Sequence, residues 1–230
     1  LSSFQLEDIK TSPPIAVITN FYKEHLAPAD PNNPNCHKTL KDYWQAKFNI
    51  IKWQKKGDWA IINNNFQFFP PRRDPATTVT IPSARGNFTK SNLPSGLIGE
   101  HNKENIAAAV AVAKIIGIKN ETIKKAVKKF KGLEHRLEFV SEIKDVKYYN
   151  DSFATTPESA ITALKSFKAS IILLAGGAEK NSNFKELVGE IKKRVKFVVL
   201  LKGKATPRMK KELLRVKYPA AKMKLVYNIK

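Results

Sequence analysis

Polar side chains follow an apolar, strand-like run in the segment YYNDSFATTPES, which covers residues 148–159. Asn150 and Asp151 are poor strand formers, so packing within a sheet does not require them here. A helix is predicted to begin at Pro157, because proline suits the first turn of a helix. The segment therefore indicates a strand that delivers amide, carboxylate and hydroxyl groups to the edge of a sheet.

Two further polar segments follow apolar runs, GGAEK after IILLA and KGKAT after FVVLL. In a parallel α/β sheet, ligands bind beyond the carboxyl ends of the strands, so all three segments fall where a site is expected. Arg136 precedes one strand and Asp151 closes the next, 15 residues on. A salt bridge across a hairpin is the structural alternative for this pair.

Other candidate residues lie earlier in the chain. Asn102 and Asn105 begin an Ala-rich helix and share one of its faces, where asparagine also serves as a cap. His25 follows an apolar strand, and a neutral imidazole there can ligate a metal, although one histidine is not a metal signature. Lys47 lies in a helical segment, where a solvated lysine is the ordinary interpretation.

Apolar patterning divides the chain into two α/β parts, 1–131 and 132–230. Strands are predicted at 15–20 and 59–64, and helices at 42–54, 101–117 and 121–132. After Gly132 strands alternate with helices, and the last strand is KLVY. This alternation, with continuous apolar strands, predicts a largely parallel sheet in the second part.

The composition is that of a soluble globular protein with a basic surface. The chain is 42% hydrophobic, carries a net charge of +21 and has one cysteine, Cys36. A single cysteine excludes an internal disulfide framework and fits a reducing compartment. Most of the basic residues are lysines on helical stretches, so solvated faces are favoured, with a positive field for an anionic nucleotide or a nucleic acid as the alternative. No apolar run is long enough to span a membrane.

Several segments occur together in an order that resembles the Mur ligase family, most closely its glutamate-adding branch. These segments are LSSFQLE, IAVITNFYKEHL, YWQAKFNII, GEHNKENIAAA, KGLEHRLEFV, YYNDSFATTPES and LLAGGAEKNSNF. The resemblance implies that 1–131 is the later part of a central ATPase domain. It implies that 132–230 is a Rossmann-like, mostly parallel C-terminal domain.

The resemblance also implies a reaction and its partners. ATP would phosphorylate the carboxylate of UDP-N-acetylmuramoyl-L-alanine, and the amino group of D-glutamate would attack the acyl phosphate. The expected cofactors are ATP and two Mg²⁺ ions. The expected setting is peptidoglycan synthesis in the cytoplasm, which supports cell-wall growth, shape and division. A monomer is expected, without nucleic acid and without membrane insertion.

Metal and first-substrate roles follow from the same resemblance. His25 resembles a histidine that binds the second Mg²⁺, and Lys47 resembles a lysine whose carbamylation creates an anionic Mg²⁺ ligand. Both would be catalytic residues. Ser2 and Gln5 resemble contacts to UDP-N-acetylmuramoyl-L-alanine. One departure is that Ala27 and Pro28 follow the His-Leu pair where the family usually has Asp-Arg.

ATP roles are implied for Asn102 and Asn105, around the adenine, and for the pair Arg136 and Asp151. In the family this aspartate takes the ribose hydroxyls and this arginine reaches the phosphates.

Glutamate roles are implied for Thr155 and for Lys180, a catalytic lysine that grips the side-chain carboxylate. From the residues alone, Thr155 could also be a helix cap or turn residue before Pro157. Phe153 stands where the family commonly has lysine, so L-glutamate or another amino acid remains an alternative to D-glutamate.

The phosphate-binding pattern G-x-x-x-x-G-K-[ST] does not occur in the 230 residues. The chain is therefore expected to be a partial ligase that is inactive alone. The alternatives are another ligase of the superfamily, such as a folylpolyglutamate-type enzyme, a pseudoenzyme, or a basic nucleic-acid-binding module.

Overall fold

The structure of the chain, a computed structural model, describes residues 1–21, 36–63, 77–81, 96–179 and 182–228. The chain divides into two compact units. The first contains Leu1–Gly96 and Glu100–Phe130, and the second contains Leu97–Gly99 and Lys131–Lys230.

The first unit is built on a three-stranded parallel sheet in the order β1-β2-β3. Its strands are β1 (Ile15–Ile18), β2 (Trp59–Asn63) and β3 (Thr77–Ile81). Its helices are α1 (Ser3–Leu6), α2 (Leu40–Lys52), α3 (Glu100–Ile115) and α4 (Asn120–Lys129). The strand β2 is buried on both faces, which accounts for its continuous apolar run of Ala60, Ile61 and Ile62.

The two faces of β2 meet different helices. Ala60 and Ile62 pack with Ile51 of α2, whereas Ile61 packs with Ala107 and Ala108 of α3. The small alanine side chains let α3 approach the sheet closely. Ile61 is fully buried, and burial of such a side chain stabilises the fold by about 2 kcal/mol.

The second unit begins with an antiparallel hairpin of β4 (Glu138–Ile143) and β5 (Val146–Asn150). Lys144 and Asp145 both have positive φ, 49° and 62°, as a tight two-residue hairpin turn requires. This pair is the exception to the predicted parallel order, because a two-residue turn can join only antiparallel strands.

The rest of the second unit is a parallel sheet in the order β6-β7-β8 with three helices. The strands are β6 (Ile171–Ala175), β7 (Val195–Leu201) and β8 (Met223–Val226), and the helices are α5 (Pro157–Lys165), α6 (Lys185–Arg194) and α7 (Thr206–Arg215). Val188, Ile191 and Leu213 are fully buried in its core. The predicted α/β class is confirmed. Among the described residues, no helix is both long and apolar enough to cross a bilayer.

Candidate functional site

Ser2 and Gln5 cap the first helix with each other. The Ser2 N–H donates to Gln5 Oε1 at 2.8 Å, and the Gln5 N–H donates to Ser2 Oγ at 3.3 Å. In this capping box each side chain acts only as a hydrogen-bond acceptor. The Ser2 hydroxyl proton and the Gln5 amide N–H groups therefore remain as donors on exposed residues, which suits the oxygen atoms of an anionic substrate.

Helix α1 is only one turn long and needs support from α2. Asn49 Nδ2 donates to the carbonyl oxygens of Leu6 and Glu7, at 2.9 Å in each case. His37, two residues before Thr39, the N-cap of α2, lies 2.9 Å through Nε2 from Ser3 Oγ. His37 is a residue that sequence reasoning missed, because it follows a proline-rich segment of sequence and its partner lies 34 positions away.

Lys47 lies on α2 with its ammonium group against aromatic rings. Its Nζ is 4.9 Å from the ring centroid of Tyr43 and 5.9 Å from that of Phe21. The two rings stack on each other at 4.9 Å, and Tyr43 is buried. Ring faces attract a cation and disfavour an anion, so a carbamylated Lys47 would have to turn its new carboxylate away from them.

His25 and Lys180 lie outside the described residues. In the part of the chain that is described, no three His, Cys, Asp or Glu side chains are placed to hold a metal ion. The magnesium assignment therefore stays a prediction for His25 and Lys47.

Asn102 and Asn105 lie inside the first turns of α3, because the helix begins at Glu100. Asn105 Nδ2 donates to Asn102 Oδ1 at 3.3 Å, so the two amides form a pair on one face. Neither residue is the N-cap, and the capping alternative is wrong. Asn63, at the end of β2, is joined to α3 by a 2.8 Å hydrogen bond to Glu104, which fixes the helix against the sheet.

Asp151 directly follows β5 and closes a tight turn that contains Arg136. Its Oδ1 accepts a hydrogen bond from the Leu137 N–H at 3.0 Å. His135 and Leu137, on either side of Arg136, have positive φ values of 62° and 44°. Such left-handed conformations are uncommon for these residue types and are held here by contacts with the end of β5.

Arg136 is exposed, and among the described residues it forms no ion pair with Asp151. The hairpin salt bridge is therefore wrong as the explanation of this pair. Arg136 is exposed and can meet phosphate oxygens, and the half-buried Asp151 carboxylate can accept from hydroxyl groups.

His135 is a second residue that sequence reasoning missed. Its Nδ1 accepts a hydrogen bond from Asn150 Nδ2 at 2.8 Å, and its backbone N–H donates to Glu138 Oε2 at 2.8 Å. Its carbonyl oxygen accepts from the Phe153 N–H at 3.1 Å. These bonds tie the Arg136 turn to the segment after β5. Two of its partners, Asn150 and Phe153, lie 15 and 18 positions away, so no local pattern in the sequence indicates this role.

Phe153 and Thr155 lie on the surface of this segment. Phe153 is 56% exposed and meets the edge of the His135 ring at 5.6 Å, so core packing does not explain it. Thr155 is exposed, and α5 is capped by Thr156, whose side chain accepts from the Ser159 N–H. The capping alternative for Thr155 is therefore wrong, because its neighbour fills that role.

The ends of β6 and β7 meet backbone to backbone. A Cβ on Gly176 would lie 2.5 Å from the Leu201 carbonyl oxygen, and one on Gly203 would lie 2.5 Å from that of Gly177. Only glycine permits this approach. The GGAEK and KGKAT segments are thus adjacent.

The loop after β6 is anchored to α7 by an arginine. Arg208 Nε and Nη2 donate to the two carboxylate oxygens of Glu179, and Nη1 donates to the Ser182 carbonyl oxygen at 2.6 Å. The bonds to Glu179 raise the pKa of Arg208. This anchor fixes the loop on both sides of position 180.

The two units match two domains of one ligase family. Residues 1–81 match the Mur ligase middle domain, and residues 135–227 match the Mur ligase glutamate ligase domain. Both matches are to domains of Mur ligases, and they follow one another along the chain. The chain belongs to the Mur ligase family.

Curated relatives cover nearly all of this chain. UDP-N-acetylmuramoylalanine--D-glutamate ligase of Caldanaerobacter subterraneus is 32% identical, over 100% of this chain and 53% of the relative. The protein of the same name from Oenococcus oeni is 38% identical, over 86% of this chain and 48% of the relative. The chain thus spans about half the length of the curated relatives it matches.

Solved structures show the same fold at low identity. The UDP-N-acetylmuramate-alanine ligase of Thermotoga maritima has a TM-score of 0.65 and 18% identity, over 99% of this chain and 53% of that chain. Folylpolyglutamate synthase of Mycobacterium tuberculosis complexed with ADP has a TM-score of 0.67 and 15% identity, over 94% and 54%.

Proposed function

We propose that this chain carries the central and C-terminal parts of an ATP-dependent ligase that adds D-glutamate to UDP-N-acetylmuramoyl-L-alanine. The observation that carries the proposal is the pair of domain matches, in family order, together with relatives of that name at 32% and 38% identity. We place the domain boundary at residues 131/132. The enzyme would form a carbon–nitrogen bond and release ADP.

The proposed ATP contacts are Asn102 and Asn105 in the central domain, and Arg136 and Asp151 in the C-terminal domain. The amide pair of Asn102 and Asn105 offers a donor and an acceptor to the adenine edge. Asp151 accepts from the ribose hydroxyls, and the exposed Arg136 neutralises phosphate charge. The support for these roles is the turn geometry, in which the Leu137 N–H holds Asp151 and the Arg136 side chain is exposed.

UDP-N-acetylmuramoyl-L-alanine is bound through Ser2 and Gln5, whose remaining donors are on exposed residues of α1. When bound, Mg²⁺ neutralises the charge of the transferred phosphoryl group and its acceptor carboxylate. His25 and carbamylated Lys47 are the proposed ligands for this ion. An oxygen-rich carbamate suits Mg²⁺ far better than an ammonium group does.

Glutamate is bound in the second domain. The exposed Thr155 hydroxyl orients the amino acid, and Lys180 pairs with its side-chain carboxylate. Phe153 places an apolar ring beside these groups. D-glutamate is the proposed substrate, and L-glutamate is the alternative that Phe153 keeps open.

The setting follows from the reaction. The proposed enzyme is a cytoplasmic monomer of peptidoglycan precursor synthesis, and so contributes to cell-wall formation, cell shape and division. Its net charge of +21 suits an anionic nucleotide and an anionic nucleotide-sugar substrate.

Amide formation by the full-length gene product tests the proposal. Purified protein is incubated with ATP, Mg²⁺, UDP-N-acetylmuramoyl-L-alanine and either D- or L-glutamate, and ADP and the amide product are both measured. The proposal expects product that depends on D-glutamate. A clear preference for L-glutamate would replace the amino acid, and ADP release without amide product would overturn the ligase assignment.

A further inference from the structure

A fully buried histidine lies between α1 and α2. The His37 side chain has 0% exposure, and its ring stacks on Phe4 of α1 at 4.7 Å with an interplanar angle of 7°. Its other neighbour is the ring of Tyr43 on α2, 5.3 Å away. Burial of an imidazole with two polar nitrogens is unfavourable unless those nitrogens are used.

The two nitrogens of His37 face two residues of the α1 segment. Nε2 lies 2.9 Å from Ser3 Oγ. Nδ1 is buried without a hydrogen bond among the described residues, and Glu7 Oε1 is 4.0 Å away. Ser3 and Glu7 are four positions apart and therefore share one face of a helical turn.

In the tautomer with the proton on Nδ1, this proton lies on the side of Glu7 Oε1, which is 4.0 Å away and beyond hydrogen-bond distance, and Nε2 accepts the hydroxyl proton of Ser3. His37 thus lies between the Glu7 carboxylate and the Ser3 hydroxyl. Ser3 is only 3% exposed, so its hydroxyl cannot reach a substrate, and the role of this arrangement is structural.

Helix α1 needs such a support. A single helical turn is not stable by itself, because the loss of conformational entropy on forming the first turn exceeds the stabilisation from its hydrogen bonds. Asn49 of α2 and His37, which precedes α2, contact the turn that carries Ser2 and Gln5 and hold it in place.

An unbroken series of ring contacts links this turn to Lys47. Phe4 stacks on His37, His37 packs against Tyr43, and the Lys47 ammonium group lies 4.9 Å from the Tyr43 ring centroid. A shift of His37 would therefore move Phe4 on the substrate side relative to Tyr43 on the Lys47 side.

We propose that His37 is a positioning residue for the first substrate: it fixes the α1 turn, with Ser2 and Gln5, in a set place relative to Lys47. The inference rests on the proposed function, in which Ser2 and Gln5 contact UDP-N-acetylmuramoyl-L-alanine. His37 itself does not touch the substrate.

Kinetics of His37→Phe in the full-length gene product test the positioning role. Phenylalanine keeps the ring stacking and removes both nitrogens. We expect the KM for UDP-N-acetylmuramoyl-L-alanine to rise about tenfold, as loss of one well-placed hydrogen bond allows, with the KM for ATP and for glutamate unchanged. His37→Gln, which restores an acceptor for Ser3, should recover part of the loss.

The matched control is Ser12→Ala. Ser12 Oγ donates to the Asn49 carbonyl at 3.2 Å and accepts from the Trp53 N–H at 3.0 Å, so the variant removes hydrogen bonds of the same unit outside the His37 contacts. If His37→Phe changed all three KM values equally, the effect would be a general structural one and the proposal would be overturned. The same holds if Ser12→Ala also raised only the KM for UDP-N-acetylmuramoyl-L-alanine.

Nuclear magnetic resonance and hydrogen exchange give a readout that needs no activity. In this chain, ¹⁵N spectra should show Nδ1 protonated and Nε2 unprotonated, and His37→Phe should speed exchange of the Leu6 amide, which bonds to the Ser2 carbonyl. The opposite tautomer, or unchanged exchange, would contradict the inference. Absence of ligation by the wild-type protein would instead contradict the proposed function alone.

Discussion

Arg208 and Glu179 form a bidentate ion pair that joins the start of α7 to the loop after β6. The distances are 3.0 Å from Nε to Oε2 and 2.5 Å from Nη2 to Oε1. The guanidinium also lies over the Phe184 ring, 4.4 Å from its centroid. A planar guanidinium makes all these contacts at once, which a lysine cannot do.

Replacing Arg208 is expected to loosen Glu179 and Ser182, which flank Lys180 in the sequence. Arg208→Met should raise the KM for glutamate in the full-length enzyme and lower the free energy of unfolding by about 1 kcal/mol, since the pair is partly exposed. Arg208→Lys should not restore the wild-type KM. Steady-state kinetics and urea unfolding measure the two effects.

Arg215→Met is the control for that change. Arg215 is exposed on the same helix and approaches Glu212 only to 3.8 Å. A rise in the glutamate KM for this variant equal to that for Arg208→Met would contradict the anchoring role.

Replacing Asp151 by asparagine should weaken ATP binding without unfolding the turn. The amide oxygen of the new side chain can still accept the Leu137 N–H, whereas the negative charge that we propose to meet the ribose hydroxyls is lost. We expect the KM for ATP to rise about tenfold and the melting temperature to change little. Asp145→Asn, in the β4–β5 turn, removes the same charge at a position where asparagine tolerates the positive φ. An unchanged ATP KM for the Asp151 variant would exclude it from the nucleotide site.

Phe153→Lys should tighten glutamate binding. The ring is 56% exposed, so the substitution is expected to change the free energy of unfolding by no more than about 0.5 kcal/mol. A cation in this segment should lower the KM for D-glutamate several-fold. Phe130→Lys adds the same charge at another half-exposed phenylalanine, in the first unit. If both variants lowered the KM for D-glutamate equally, the effect would come from net charge alone, and the proposed role of position 153 would be contradicted.

Acid should weaken α6 through Glu190. Hydrogen bonds from Arg194 and then Lys193 hold the pKa of Glu190 below its ordinary value. A carboxyl group whose pKa is lower in the folded state stabilises the fold above its unfolded pKa, and this stabilisation is lost as the pH falls through the folded pKa. The free energy of unfolding, measured in urea at neutral and at acid pH, should therefore fall less for Glu190→Gln than for the wild type. The same fall in both proteins would contradict the stabilising role of Glu190.

Elements with strong local patterns could be predicted from the sequence. The Ala-rich periodic run before Gly117 predicted α3, which ends at Ile115. The start of α2 lies two residues earlier than predicted, because Thr39 and Asp42 form a capping box. The β4–β5 hairpin was considered only as an alternative for the Arg136 and Asp151 segments, because its turn uses Lys144 and Asp145 in place of glycine or asparagine.

The candidate site was predictable only in part. The position of Asp151 after β5 followed from strand patterning, whereas its hydrogen bond to the Leu137 N–H spans 14 positions and was not predicted. The contacts of His37 and of Arg208 span 34 and 29 positions, so no local pattern reveals them. Assignment of the ATP, metal and glutamate residues came from family resemblance, and it stays a prediction.

Transfer of oxygen from the substrate carboxylate to phosphate tests the central claim most directly. UDP-N-acetylmuramoyl-L-alanine labelled with ¹⁸O in its alanine carboxylate is incubated with the full-length gene product, ATP, Mg²⁺ and D-glutamate, and the released phosphate is analysed by mass spectrometry. Attack of the amine on an acyl phosphate leaves one carboxylate oxygen in the phosphate, so one ¹⁸O atom is predicted for each amide formed. Unlabelled phosphate accompanying amide product would contradict the acyl-phosphate route, and absence of amide product would contradict the ligase assignment.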